Sequence, residues 1–455
     1  MSPYTVARAP RMRSFVKSTG AILTSCCLFI LLQGCNTMPI VTRGVEEFNA
    51  AVKAHPRLLD NQHIYDVHLN ARPVKPGNGV VLEDLVIRNL TLRDVQMRGA
   101  LLKNVTFVDC KFIKADFSYS TFSNVKFIRG SMSGHAQPDS YEAYETTFKD
   151  VAIDRVLFDG VYIDKSVSTG FHGGIVVLRN VTTTQTPNKN TWLIGDADLQ
   201  IRVDNCKIFN QALASLAGTN NSLYVTNSVL SNADMIMDAT TAWVENCDVH
   251  GVVPAATTLV VKNNRVHDIT VLGRRDTGCR AFLTGNTYVI SPKERKAAIR
   301  LFYTENKTTL DNSYLYLYAG GPLPCEVVVQ AGNIHIHDAE IDELTLWQSS
   351  TETNATSLNL ENVKIKHADW ESADVRGGRW QNVEIYPPVD LKTARFDNIL
   401  GHNVRFPQGT PWVNGVLNIA ESPTPLKFDR PPVPTLEETG LAQFWKEHDF
   451  PEETY

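Results

Sequence analysis

Acidic residues are missing from the first 34 positions, and cysteine is scarce everywhere after position 35. The opening stretch holds only the cations Arg8, Arg11, Arg13 and Lys17, followed by an apolar run from Ala21 to Leu32. That run is too short to cross a bilayer, which takes ~20 residues, and behind a basic start it reads as a secretory leader. No second apolar segment long enough to span a membrane follows. Cys26, Cys27 and Cys35 belong to the leader and its end, which leaves Cys110, Cys206, Cys247, Cys279 and Cys325. An odd set leaves at least one thiol free or paired elsewhere, and there is no CxxC pair or His/Cys zinc spacing. Neither a disulfide framework nor structural zinc is therefore expected to hold the chain together. Basic charge is in deficit too. Of the 44 Lys and Arg, four lie in the leader, leaving 40 against 49 Asp and Glu and a formal charge of −9. That balance argues against nucleic acid, anionic lipid and polyanionic polysaccharide as broad electrostatic partners, while leaving room for a local basic patch.

The leader ends in Leu32-Gln33-Gly34-Cys35, which resembles the lipobox of bacterial lipoproteins. The resemblance implies cleavage before Cys35 and acylation of its thiol. Asn36 stands where relatives retained in the inner membrane usually carry Asp, which favours the outer membrane, on its periplasmic or its surface face. Several acyl chains hold a protein stably where one, at ~0.8 kcal/mol per buried methylene, does not. The expected partners are thus the membrane, through Cys35, and an envelope protein or polysaccharide. Nucleic acid and cofactors are not expected.

What the chain has in abundance is repetition. From Leu85 to Arg129 it falls into five-residue units with a large apolar residue in each: Ile87, Leu92, Met97, Leu102, Phe107, Phe112, Phe117, Phe122 and Phe127. Two places earlier sits a mostly smaller residue, such as Val95, Ala100, Val105, Cys110 or Ala115. Neither a helix nor an alternating strand keeps a five-residue phase so long. The run resembles the pentapeptide-repeat family, which implies a right-handed quadrilateral β-helix. After Tyr144 the phase resumes at Phe148, Ile153, Phe158 and Ile163.

Beyond residue 170 one unit persists: apolar, any, Asn or Asp, small or apolar, any, apolar. It occurs around Asn205, Asn246, Asn263, Asn312, Asp338, Asn362 and Asn382, with weaker copies at Asn180, Asn227, Asn286 and Asn398. One copy per turn suits an irregular parallel β-helix, since Asn hydrogen-bonds along a stack and tolerates left-handed backbone. Stacking the copies brings Lys207, Val229, Asp248, Arg265, Tyr288 and Tyr314, then Glu340, Lys364 and Glu384, into one outward column. Asp248 meets Arg265, Tyr288 meets Tyr314, and the last three alternate in sign, as neighbouring strands favour. Cys206 and Cys247 fall two coils apart, ~9.6 Å at the strand spacing of ~4.8 Å, beyond disulfide reach of ~7 Å. Pairing of Cys279 with Cys325 stays open.

The expected organisation is all-β: a leader over 1–35, a tether and N-terminal cap over 36–80, regular repeats over 81–170 and irregular coils over 171–405. A Pro-rich segment with a short helix follows over 406–455. Gly44 to Ala54 has helical spacing, with Val45, Phe48 and Val52 on one side, and is expected to cover the first open edge. Thr435 to Glu438 reads as a capping box opening a helix that carries Leu441, Phe444 and Trp445: a cover for the far end, a packed tail, or a docking peptide.

Chemistry-bearing residues are few. Paired aspartates and a Gly-His-Gly loop, as in pectin-hydrolysing families, are absent, and so is the Asp-Pro-His-Asp of alginate epimerases. The weak catalytic candidates are His250 and His267, expected ~5 Å apart on adjacent coils, with Asp248, Arg265 and Asp268 in register; two histidines among carboxylates suit acid–base work or a metal. His335 and His337, at i and i+2 on one strand, are the weak metal candidates. Tyr314, Tyr316 and Tyr318 share one outward face, and with Tyr288 they are the binding candidates, since aromatic rows suit sugars or a protein interface. The expected function is a non-catalytic binding or scaffold module of the cell envelope. The alternative is an envelope polysaccharide lyase, hydrolase or epimerase.

Overall fold

The computed structural model describes residues 44–70, 74–134, 146–164, 167–184, 190–195, 199–209, 211–215, 221–231, 234–252, 255–273, 278–289, 298–303, 314–346, 356–371, 373–407 and 417–451. Cys35 and Asn312 lie outside them.

From Asp84 to Arg129 every fifth residue has a left-handed backbone, with φ between 51° and 73°. Ten such corners follow in strict succession, and seven are Asn, Asp or Gly, the residues for which this conformation costs least. Four units close one coil, so Val81–Arg88 stacks in parallel on Leu101–Val108, with Leu82 beside Leu102 and Ile87 beside Phe107. The large residue of each unit points inward. Phe107, Phe127 and Phe158 stack face to face at 5.2 and 5.0 Å, and Phe117 stacks on Phe148 at 5.3 Å. All five are buried. The body is a parallel β-solenoid, as the five-residue phase implies.

After Gly130 the strict period lapses but one corner survives. Gly160, Asn180, Asn205, Asn227, Asn246, Asn263 and Gly285 are all left-handed and continue the column begun by Asn61, Asn89, Asp109 and Arg129. From Asn61 to Asn263 each presents its backbone N–H to the carbonyl just ahead of the next corner, as in Asn180 N–H to Asp204 O at 3.1 Å and Asn205 N–H to Thr226 O at 3.2 Å. Side-chain amides add a second ladder: Asn205 donates to Asn180 at 2.6 Å, Asn362 to Asp338 at 2.7 Å, and Asn382 to Asn362 and Asn403 to Asn382 at 2.9 Å each. Asp248 pairs in register with Arg265, and Glu340 with Lys364 and then Glu384, as expected.

Three copies sit out of phase, and in the last of them Asn403 rather than Asn398 stacks on Asn382. Gly285, not Asn286, holds the corner, so Tyr288 pairs with Val266 rather than Arg265 and packs against the interior. Tyr288 is thus an inward residue, and it does not meet Tyr314. Tyr314–Gln330 forms one long strand whose register shifts between Tyr318 and Gly321. Its corner is Gly320, so Tyr314 to Tyr318 lie before the bend, beside Asn333 to His337, rather than after it.

Helix α1 (Val45–Ala54) lays Phe48 and Val52 over the first coil and covers its open edge. At the other end the packed-tail alternative holds rather than the cover. After the last strand, Leu417–Glu421, the chain turns back and runs along the outside of the solenoid. The leucine amide of Leu426 bonds Gln381 Oε1 at 2.6 Å, Phe428 stacks on His335, and Arg202 pairs with Asp449. The capping box forms, with Thr435 N–H to Glu438 Oε2 at 2.8 Å and Glu438 N–H to Thr435 Oγ1 at 3.1 Å, but it closes only a turn. Helix α2 (Leu441–His448) begins after the left-handed Gly440. Leu441, Trp445 and Phe450 then pack on outward-facing Leu157, Val177, Trp243, Val260 and Phe282. The tail is a strap along one side and not a plug for the last coil. Without it these side chains would form an exposed apolar patch.

Candidate binding cleft beneath the strap

Where the strap leaves the last coils, residues 427–432 bridge a cleft of about 740 Å³. Its floor is the sheet ahead of the Asn corner, supplying Arg280, Tyr314, Asn333, His335, Ser357, Asn359 and Arg379; its roof is Lys427, Phe428, Asp429, Arg430 and two prolines. The parallel register dictates the floor, since Arg280, Tyr316, His335 and Asn359 are successive partners across four strands, all outward.

The strap is held over this floor by charge. Glu361 is fully buried and receives Arg430 in a two-pronged contact, Nε to Oε2 at 2.9 Å with Nη2 on Oε1. Such a fork is the strong form of the ion pair. Arg379 donates from Nη1 to the Lys427 carbonyl at 2.8 Å. Phe428 lies over the His335 ring at 5.4 Å, and Tyr316 meets the same ring edge-on at 5.0 Å.

His335 and His337 point outward as expected, but the strap buries both. His335 Nε2 and both ring nitrogens of His337 have no hydrogen-bond partner. Burial, the neighbouring imidazole and Arg430 hold His335 down at about 4, and burial lowers His337 as well. Both rings are therefore neutral near pH 7. Their ring centres are 6.3 Å apart, and the Glu361 carboxylate that would complete a chelate is 3.6 Å from His337 and 4.0 Å from His335. Arg430 already occupies that carboxylate. A metal would have to displace the guanidinium, and the described residues contain no group of three or more His, Cys, Asp or Glu arranged to hold one.

The binding candidates fare unequally. Tyr314 lines the cleft, and Tyr318 is half-buried beside His337 at 5.5 Å. Tyr316 points outward but is only 1% exposed, because Phe282, His335 and the strap enclose it. As placed, it supports the floor and offers no ring to a partner. The functional residues missed in the sequence are Arg280, Arg379, Lys427 and Arg430. The signal available for them was a local excess of cations in an acidic chain.

The catalytic candidates come together on another face. The rings of His250 and His267 are 5.6 Å apart, close to expectation. His267 Nε2 meets Asp248 Oδ1 at 2.8 Å, and Arg265 approaches the same carboxylate at 3.7 Å. An insertion in the register sets His250 opposite Asp268 rather than opposite His267. The Arg265 side chain is 59% exposed, so this cluster sits in water and gains little from a low dielectric.

All five cysteines of the described body are buried, and none of them, Cys279 and Cys325 included, forms a disulfide. Burial pushes Cys110, Cys206, Cys247 and Cys279 up to about 12, so they are inert packed thiols.

The fold and the corners define a repeat protein of the parallel β-solenoid class. More particularly, residues 92–127 match the family model of pentapeptide repeats, in eight copies. No curated protein matches the chain.

Proposed function

We propose that this chain is a lipid-anchored, non-catalytic binding module of the bacterial outer membrane, whose solenoid presents the strap-covered cleft to a partner in the cell envelope. The observation that carries this reading is the cleft itself. It is concave, lies where sheet and strap meet, and gathers four cations in a chain of formal charge −5. A photo-reactive residue at Asn359, on the cleft floor, is expected to cross-link an envelope component that the same probe at exposed Lys103 does not. Equal labelling from both positions would overturn the reading.

The anchor rests on Leu32-Gln33-Gly34-Cys35. Replacing Cys35 by Ser removes the atom to which acyl chains attach. Metabolic fatty-acid label is expected to vanish and the protein to move to the soluble periplasm; equal label in the variant counts against lipidation. A second reading, an enzyme of envelope polysaccharide, draws on the 2.8 Å contact of His267 with Asp248, the geometry of an oriented base. It requires His267→Ala to abolish turnover of such a polysaccharide.

A further inference from the structure

We infer that the cleft binds an anionic saccharide, a short sugar chain bearing a carboxylate or a phosphate. The inference rests on the binding-module reading and names its ligand. Charge is the first ground. Arg430 is neutralised by Glu361, which leaves Arg280, Arg379 and Lys427 against Asp429 along the lining. Arg280 and Lys427 have no ion-pair partner among the described residues. Arg379 spends one N–H on the Lys427 carbonyl, which fixes its planar head with further donors to offer. Guanidinium groups match the geometry of carboxylate and phosphate oxygens.

The second ground is an unsatisfied group. His335 is only 5% exposed, it lines the cleft, and its Nε2 has no hydrogen-bond partner, the nearest carboxylate oxygen being Glu361 Oε2 at 4.0 Å. Buried polar atoms are nearly always paired, so this ring at the edge of the cleft retains an unused hydrogen-bonding group. Because the ring is neutral, it suits a sugar hydroxyl, which gives or takes a hydrogen bond, better than an anion.

The third ground is the remaining lining. Asn333, Asn359 and Ser357 supply uncharged donors and acceptors, and Tyr314 and Phe428 supply aromatic surface. Hydroxyl-rich rings with one apolar face use both. Size and surroundings set the length. The volume of about 740 Å³ falls within the ~300–1,000 Å³ of small-ligand pockets. An acidic chain also repels a long polyanion beyond the cleft.

Calorimetry on the detergent-solubilised full-length protein tests this with four probes: a uronic acid trisaccharide, a neutral trisaccharide, a hexose phosphate and inorganic phosphate. The uronate or the hexose phosphate is expected to bind at least tenfold more tightly than the neutral sugar, and whichever of the two binds more tightly identifies the source of the oxyanion. Inorganic phosphate is expected to bind at least tenfold more weakly than the hexose phosphate. Replacing Arg280 and Lys427 together by Gln is expected to weaken anionic-sugar binding tenfold or more, since each lost charge-assisted bond is worth about that factor. Both side chains are exposed, so the fold survives the change. Equal affinity for neutral and acidic sugars, phosphate as tight as its sugar ester, or an unaffected double variant would each overturn the inference. If no sugar binds while cross-linking from Asn359 persists, the ligand class falls and the binding-module reading stands.

Discussion

Asn362 shows what a single corner residue does. Its backbone is left-handed at φ 52°, its amide donates to Asp338 at 2.7 Å, and its oxygen accepts from Asn382 at 2.9 Å. Replacement by Ala loses both side-chain bonds, ~0.5–1.5 kcal/mol each and at the low end in water, and adds ~1 kcal/mol for a Cβ in that conformation. Replacement by Gly loses the bonds but keeps the backbone at ease. Asn362→Ala is therefore expected to destabilise the last coils by about 2 kcal/mol and Asn362→Gly by about 1 kcal/mol, read from urea midpoints. Equal losses would mean the conformation carries no weight. At this scale much was legible in the sequence. The recurring Asn and Asp mark bends because few other residues accept them cheaply, and Asn205, Asn246, Asn263, Asp338, Asn362 and Asn382 all occupy them. Where glycine took the corner, at Gly285 and Gly320, an adjacent or nearby Asn drew the phase away and misplaced Tyr288 and Tyr314.

At the scale of elements the strap is the feature that the sequence concealed. Its contacts join residues 69 and 247 positions apart, Arg430 to Glu361 and Arg202 to Asp449, and no periodicity announces such a pairing. A trace existed: Trp243, Val260 and Phe282 alternate with inward residues and so point outward although apolar, which implies a cover. The strap is expected to respond to acid. His335 and His337 face Glu361 and Asp338, which favour protonation, and Arg430, which opposes it, with Asp429 and the rings of Tyr316, Tyr318 and Phe428 around them. Burial outweighs the carboxylates, so the docked strap refuses protons that the released strap accepts. Both depressed values mean that docking is strongest above the ordinary histidine value of 6.5 and weakens as pH falls toward about 4. For His335 alone the loss approaches roughly 3 kcal/mol at the acid end. Limited proteolysis between residues 431 and 440 is expected to be slow at pH 7.5 and fast at pH 5, with His335→Gln flattening the difference. Arg430→Ala strands the buried Glu361 carboxylate, a defect that costs ~3–5 kcal/mol when it stays dry. It is expected to open the strap at both pH values. Pockets and catalytic clusters aside, an unchanged cleavage rate in that variant would show that the apolar contacts of α2 alone hold the tail.

Across the whole molecule the solenoid is a stack in which each coil touches only its neighbours, the coils from Asn180 to Gly285 taking 17 to 25 residues apiece. Stability in such arrays is a sum of nearest-neighbour terms, and ends fray before centres. The architecture was readable because it repeats: nine units in one phase leave little choice of fold. The cleft was not, because it exists only where the strap, remote in sequence, returns to the sheet.

That return changes how the molecule should come apart. A strap that touches Gln381 near one end, and sets the Phe450 ring 4.2 Å from Arg155 and 5.8 Å from Lys126 far along the other way, ties distant coils into one event. Melting of the full chain is expected to be a single cooperative step, whereas a chain ending at Glu421 should melt in several, its terminal coils first. A calorimetric trace with one peak for both proteins would show that the stack is cooperative without help. Because the strap follows every coil in the sequence it touches, that cooperativity is gained only once all of those coils have been made and folded.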